Sequence, residues 1–196
     1  MPRRIRYGCH HGHPFGVPVP PPHYPVETRR ADLLPHRRSN TKVDYVHSFD
    51  SGLPGHHVMV NALTHGNELC GMQVVKRLLD AGIQPQTGRL TLSFANIGAY
   101  ESLGPDGLSA RFIDRDFNRL WHDDLLAADR QSVEARRAHQ MRLIVKTVDR
   151  LRDLHSTWHA LQPFFVMSQL PRVRQLADRL AIPPRQLFLP EVWHEG

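Results

Sequence analysis

Residues 56–63, HHVMVNAL, form a largely apolar run that leads within a few residues into an amphipathic segment. A strand without regular polar alternation is the kind buried on both faces of a parallel sheet. In residues 67–80, Leu69, Met72, Val75, Leu78 and Leu79 share one helical face, and Ala81 and Gly82 end the helix. A buried parallel strand feeding a helix admits few architectures other than layered α/β.

The rest of the chain repeats the alternation. Residues 44–51, DYVHSFDS, read as a strand at a sheet edge, and SGLPG at 51–55 as a turn. RLTLSFANI at 89–97 is the next strand, and residues 98–123 form a long irregular stretch. Stretches of that length inside a domain are usually functional. A helix over 131–148 precedes strands at 150–156 and 164–168, a helix over 171–182 that Pro171 can open, and a short strand at 186–190. The expectation is a three-layer α/β/α fold on a mostly parallel mixed sheet. The regular domain is expected over 44–196. Residues 1–43 are expected as a Pro/His-rich tail and loop, whose Cys9, His10, His11 and His13 suit a disordered His-rich tract better than a metal site.

Bulk properties exclude several classes. The 196 residues, 40% of them apolar, suit one core of ordinary size, and no apolar run reaches membrane length. The basic first residues lack the apolar core of a secretory signal. With only Cys9 and Cys70 no disulfide framework forms, which fits a reducing cytoplasm. The net charge of +6 invites nucleic acid, but Arg130, Arg136, Arg137 and Arg142 are scattered over a helical region without aromatic interleaving. A basic surface instead draws acidic small molecules.

The chemistry gathers at strand ends. His65 and Glu68 in the turn after residues 56–63 are three apart and can reach one point beyond the strand. A neutral imidazole and a carboxylate converging there make two-thirds of a catalytic zinc site. The pair alone is a weak signal, and its place between a strand and a helix carries the reading. His155 in DLHST, also at the end of a strand-like run, is the natural third ligand. A second constellation, RFIDRDFNR at 111–119, packs Arg111, Arg115, Arg119, Asp114, Asp116 and Asn118 into the irregular stretch. Guanidinium groups can grip a carboxylate and polarise a carbonyl. Phe112, Ile113 and Phe117 are expected to anchor that segment to the core.

The trio HGNE, RFIDRDFNR and DLHST, in this order and spacing, resembles the succinylglutamate desuccinylase/aspartoacylase family, over about residues 44–196. These are zinc amidohydrolases with a zinc-carboxypeptidase-like core. The resemblance implies one Zn2+ per chain held by His65, Glu68 and His155. It implies that Arg111 stabilises the oxygen of the attacked carbonyl and that Asn118 and Arg119 grip the substrate carboxylate. Asp153 would orient a ligand, and Asp116 would brace the loop's arginines. The partner would be a small acidic N-acyl amino acid, cleaved at its amide bond, with no nucleic acid or membrane involved.

The pattern departs from the family after His155. There the family carries a general-base glutamate on a later strand, whereas only Glu191 and Glu195 follow here, outside that motif. A domain incomplete on its C-terminal side is therefore expected, either truncated or completed by a partner or dimer mate, and impaired in turnover. Losing a general base typically costs about 10²–10⁴ in rate. Arg150 and Arg152 are expensive in a strand buried on both faces. Exposed apolar sheet surface predicts self-association.

Overall fold

In a computed structural model, residues 28–104, 110–157, 161–181 and 183–189 are described. The expectations for the N-terminal tail with Cys9, His10, His11 and His13, and for Glu191 and Glu195, lie outside them.

Among the described residues, six strands and five α-helices occur: β1 (Val46–Asp50), β2 (His57–Ala62), α1 (Leu69–Asp80), β3 (Arg89–Phe94), α2 (Ile97–Glu101), α3 (Asp123–Ala128), α4 (Val133–Val145), β4 (Arg150–Leu154), β5 (Phe164–Met167), α5 (Pro171–Leu180) and β6 (Arg185–Phe188). The main sheet has the order β1-β3-β2-β4. β3 and β4 flank β2 in parallel register, and β1 closes the edge antiparallel to β3. The sheet is therefore mixed and mostly parallel, as expected. β5 and β6 pair in parallel as a separate two-stranded sheet.

Alternate strand residues feed two cores, which makes the three layers. On one face Ala62, Leu92 and Phe94 pack against Leu69, Met72 and Val75 of α1. Fully burying a leucine, methionine, valine or phenylalanine side chain in this way contributes about 1.5–3 kcal/mol. On the other face Val46 and Met59 meet Leu126 of α3 and Ala135, Ala138 and Met141 of α4. That second face also carries polar side chains, all paired. His57 Nε2 meets Thr91 Oγ1 at 2.7 Å, and Ser93 Oγ donates to Asn61 Oδ1 at 2.5 Å.

Several expectations change in detail. Residues 98–123 are not wholly irregular: they hold most of α2, a 3-10 turn at Phe117–Arg119, and the start of α3. Asn96 caps α2 and Asp116 caps the 3-10 turn through side-chain oxygens, a local signal that hydrophobic periodicity misses. Strand β4 is not buried on both faces. Among the described residues it pairs with β2 alone, so Arg150 and Arg152 stay half-buried and Leu151 is 47% exposed. Arg137 is not a solvated helix charge. Its guanidinium donates to the carbonyls of Asp44, Phe94 and Ala95, tying α4 to the end of β3, and burial lowers its pKa to about 10. The packed chain also reaches upstream of β1. Leu33 is buried, and Arg30 donates to the carbonyls of Tyr100 and Leu103.

No helix among the described residues is long and apolar enough to cross a membrane.

Candidate metal centre

Strand β2 ends in a left-handed residue, Leu63, with φ of +58°. A non-glycine residue there costs about 1–2 kcal/mol, which the fully buried Leu63 side chain and the Asn96 amide on its carbonyl offset. The turn swings His65 and Glu68 over the carboxyl ends of the parallel strands, where sites form in open α/β sheets. Gly66 lies in a tight place. A Cβ there would stand 2.5 Å from the Ala110 carbonyl oxygen and 2.6 Å from the Tyr100 nitrogen. Its amide donates to the Arg111 carbonyl at 3.0 Å, so the ligand turn and the arginine loop are joined backbone to backbone.

His65, Glu68 and His155 come together as expected, with one ligand atom from each within 4.8 Å of the others. The Glu68 carboxylate sits between the two rings, with Oε1 2.8 Å from His65 Nδ1 and Oε2 2.8 Å from His155 Nδ1. His65 and Glu68 are buried, while the His155 side chain keeps 34% of its surface exposed. The far nitrogens are also engaged. His65 Nε2 is 3.1 Å from Asp116 Oδ1, and His155 Nε2 is 2.9 Å from Asp153 Oδ2. A carboxylate behind each ring fixes the tautomer that turns Nδ1 toward the common point, the arrangement that metal-ligating histidines show. Two nitrogens and one carboxylate with such backing suit zinc. The buried Ser156 Oγ beside them has no hydrogen-bond partner among the described residues, a polar atom left for a ligand or water.

Without a metal the charges lean on one another. Burial would raise the Glu68 carboxyl, but the two imidazoles outweigh it and hold it far below the usual range. Burial would lower the His155 ring, yet Asp153 and Glu68 carry it up to about 10. Asp153 is braced in turn: its Oδ1 accepts from Asn61 Nδ2 and from Thr64 Oγ1, each at 2.8 Å. A chain of polar side chains thus runs from His155 through Asp153 and Asn61 to Ser93.

The arginine loop brings the Arg111 guanidinium to this centre. Arg111 Nη1 lies 3.0 Å from Glu68 Oε1. The Asp116 carboxylate takes the His65 ring and the Asn118 amide, and it lies near enough to Arg111 to feel its charge. Asn118 and Arg119 are exposed, on the 3-10 turn that follows. Arg115 turns away to Asp129 at 3.2 Å. The apolar anchoring holds only for Phe117, which is fully buried, because Phe112 and Ile113 are 41% and 43% exposed. The backbone there is secured instead by a residue that sequence patterning passed over, Glu134 on α4. Its visible signal was a carboxylate at helical spacing from Ala138 and Met141, on the stripe that should be apolar.

Residues 54–186 match the succinylglutamate desuccinylase/aspartoacylase catalytic domain. The chain belongs to this family. Among solved structures it is similar to murine aminoacylase 3, at 23% identity over 69% of this chain and 48% of that one, with a TM-score of 0.57. It is similar to the ectoine utilization protein EutE (DoeB) from Ruegeria pomeroyi, at 21% identity over 74% and 45%, with a TM-score of 0.54. It is also similar to an aspartoacylase family protein from Mesorhizobium loti, at 22% identity over 73% and 46%, with a TM-score of 0.53. At such identities the likeness is one of fold. The chain spans less than half the length of these three proteins. No curated protein matches it.

Proposed function

We propose that this chain carries the metal centre of a zinc-dependent hydrolase that cleaves the amide bond of a small, acidic N-acyl amino acid. The observation that carries the proposal is the convergence of His65, Glu68 and His155, with Asp116 and Asp153 behind the two rings and Arg111 beside Glu68. Zinc, when bound, supplies a Lewis acid that polarises a carbonyl and makes water nucleophilic near neutral pH.

The chain's own residues define the rest. Asp153, held by Asn61 and Thr64, keeps His155 from turning away. Arg111 points at the centre from the loop and stabilises negative charge developing on the substrate carbonyl oxygen. Asn118 and Arg119, exposed on the next turn, hold the substrate carboxylate. The net charge of +6 favours an acidic substrate over a neutral one. The exposed free thiol of Cys70 fits a reducing cytoplasm.

A second reading is binding of zinc or an acidic ligand without turnover. One experiment separates the two. The purified chain is assayed for zinc content and for hydrolysis of N-acetylaspartate, N-succinylglutamate and short peptides, beside His65→Ala. Zinc with hydrolysis of an acylated amino acid, both lost in the variant, supports the enzyme. Zinc and ligand binding without release of free amino acid supports the second reading. No zinc in the unaltered chain defeats the first, and no binding of zinc or of the acidic compounds defeats both.

A further inference from the structure

The segment 111–116 carries Arg111 and Asp116 to the metal centre, yet its apolar side chains Phe112 and Ile113 face solvent. Its position comes from a buried carboxylate. Glu134, fully buried in the first turn of α4, accepts from the amide of Ile113 on Oε1 at 2.7 Å. Its Oε2 accepts from the amides of Asp114 at 3.0 Å and Arg115 at 3.2 Å. A fourth donor, Asn96 Nδ2 at 3.1 Å, ties the same carboxylate to the end of β3. The clamp is reciprocal, because Asp114 Oδ2 accepts from the Val133 amide at the start of α4 at 2.7 Å. Burial alone would raise the Glu134 carboxyl, but the three amides and Asn96 together hold it below its usual range.

A buried charge without a counter-ion is costly unless hydrogen bonds replace its water. Here that cost is met by three consecutive loop amides. A neutral side chain of the same shape could not satisfy them all, since an amide nitrogen would face N–H donors. Losing the carboxylate or its charge therefore weakens the hold on the loop in this position.

We propose that Glu134 is the positioning residue of the arginine loop: it fixes the backbone of residues 113–115, and so sets Arg111 against Glu68 and Asn118 and Arg119 beside the metal centre. This rests on the reading above, in which those three side chains meet an acidic substrate.

The test uses the full chain. In the unaltered protein the amides of Ile113, Asp114 and Arg115, though in an irregular segment, exchange with solvent as slowly as those within α4. In Glu134→Gln they exchange at least about tenfold faster, the least expected from losing hydrogen bonds to a charged group. Zinc content is unchanged in that variant, while affinity for succinate, read by calorimetry on the zinc-loaded chain, falls by at least about tenfold. Ser132→Ala removes the α4 cap and one hydrogen bond to Asp129, the partner of Arg115, without touching the loop amides, and leaves both readouts as they were. Rapid exchange of the three amides in the unaltered chain overturns the proposal without any variant. So does unchanged succinate affinity in zinc-loaded Glu134→Gln, or an equal loss in Ser132→Ala. Absence of zinc from the unaltered chain would instead defeat the hydrolase reading, and the exchange comparison would then decide alone whether Glu134 holds the loop.

Discussion

Arg111 Nη1 and Glu68 Oε1 stand 3.0 Å apart, so the guanidinium aimed at the candidate metal centre rests on one of its three candidate ligands. The ion pair places a positive charge within reach of anything bound there. It also makes Arg111 a direct link between the arginine loop and the ligand turn, beside the Gly66 amide on its own carbonyl and the Asp116 carboxylate on the His65 ring.

Removing that guanidinium separates binding of metal from catalysis. Arg111→Ala is expected to keep about one zinc per chain and to lower kcat for an N-acyl amino acid by about 10²–10³, as for loss of one oxyanion donor. Zinc content and steady-state kinetics on the same preparation check this. A kcat near that of the unaltered chain would remove Arg111 from the reaction.

Arg119 is expected to act on binding. Arg119→Ala should raise KM for an acidic substrate about 10- to 100-fold, the value of a hydrogen bond to a charged group, with kcat changed far less. A substrate with its carboxylate amidated should then lose little more in the variant. Initial-rate measurements with both substrates provide the comparison.

Metal should stabilise the fold, because the three ligands come from β2's following turn and from the end of β4. Zinc at a hundred times its Kd is expected to add about 2.7 kcal/mol to unfolding. The gain should vanish with chelator and be absent in His65→Ala, as read by thermal denaturation with and without the metal.

Gly66→Ala should destabilise the chain by about 1–3 kcal/mol or more, the usual cost of forcing atoms into filled space. The atoms that its Cβ would meet at 2.5–2.6 Å are all backbone, of Ala99, Tyr100 and Ala110, and cannot rotate away. Denaturant unfolding measures the loss. Unaltered stability would mean that the turn is free to move.

Acid should loosen the loop through Glu134. Its carboxyl is held below the usual range in the folded chain, so its contribution is complete above the unfolded value of about 4.3 and is lost as pH falls through the lower folded value. The stability difference between the unaltered chain and Glu134→Gln is therefore largest near neutrality and shrinks below about pH 4. Urea midpoints at several pH values follow it, and a difference independent of pH would refute the linkage.

Much of this was legible beforehand where the signal is local. Leu69, Met72 and Val75 repeat at helical spacing, and all three are buried against the sheet. His65 and Glu68 share one turn, so three residues of spacing sufficed to pair them. His155 was found because it too ends a strand, and parallel strands deliver their carboxyl ends to one side. Phe112 and Ile113 misled, because an apolar side chain in a loop reads as an anchor whether or not a core lies beneath it. Asp116 was assigned to the arginines beside it in sequence, and only the fold shows that it also meets the His65 ring. Arg137 read as solvated because nothing near it in the chain reveals the open carbonyls of Asp44, Phe94 and Ala95.

The amino-acid order by itself determined the alternation of strands and helices, the two polar loops, and which residue types could hold zinc, because periodicity and turn chemistry act over a few residues. Tertiary structure alone decided that β2 lies between β3 and β4, which brings His155 to Glu68, and that Arg150 and Arg152 on β4 stay half-buried. It also decided that Glu134 closes on Ile113, Asp114 and Arg115. Those contacts join residues far apart in the chain. They are selected by the packing of two core layers and by the demand that every buried charge find its donors, conditions met only once the whole domain has assembled.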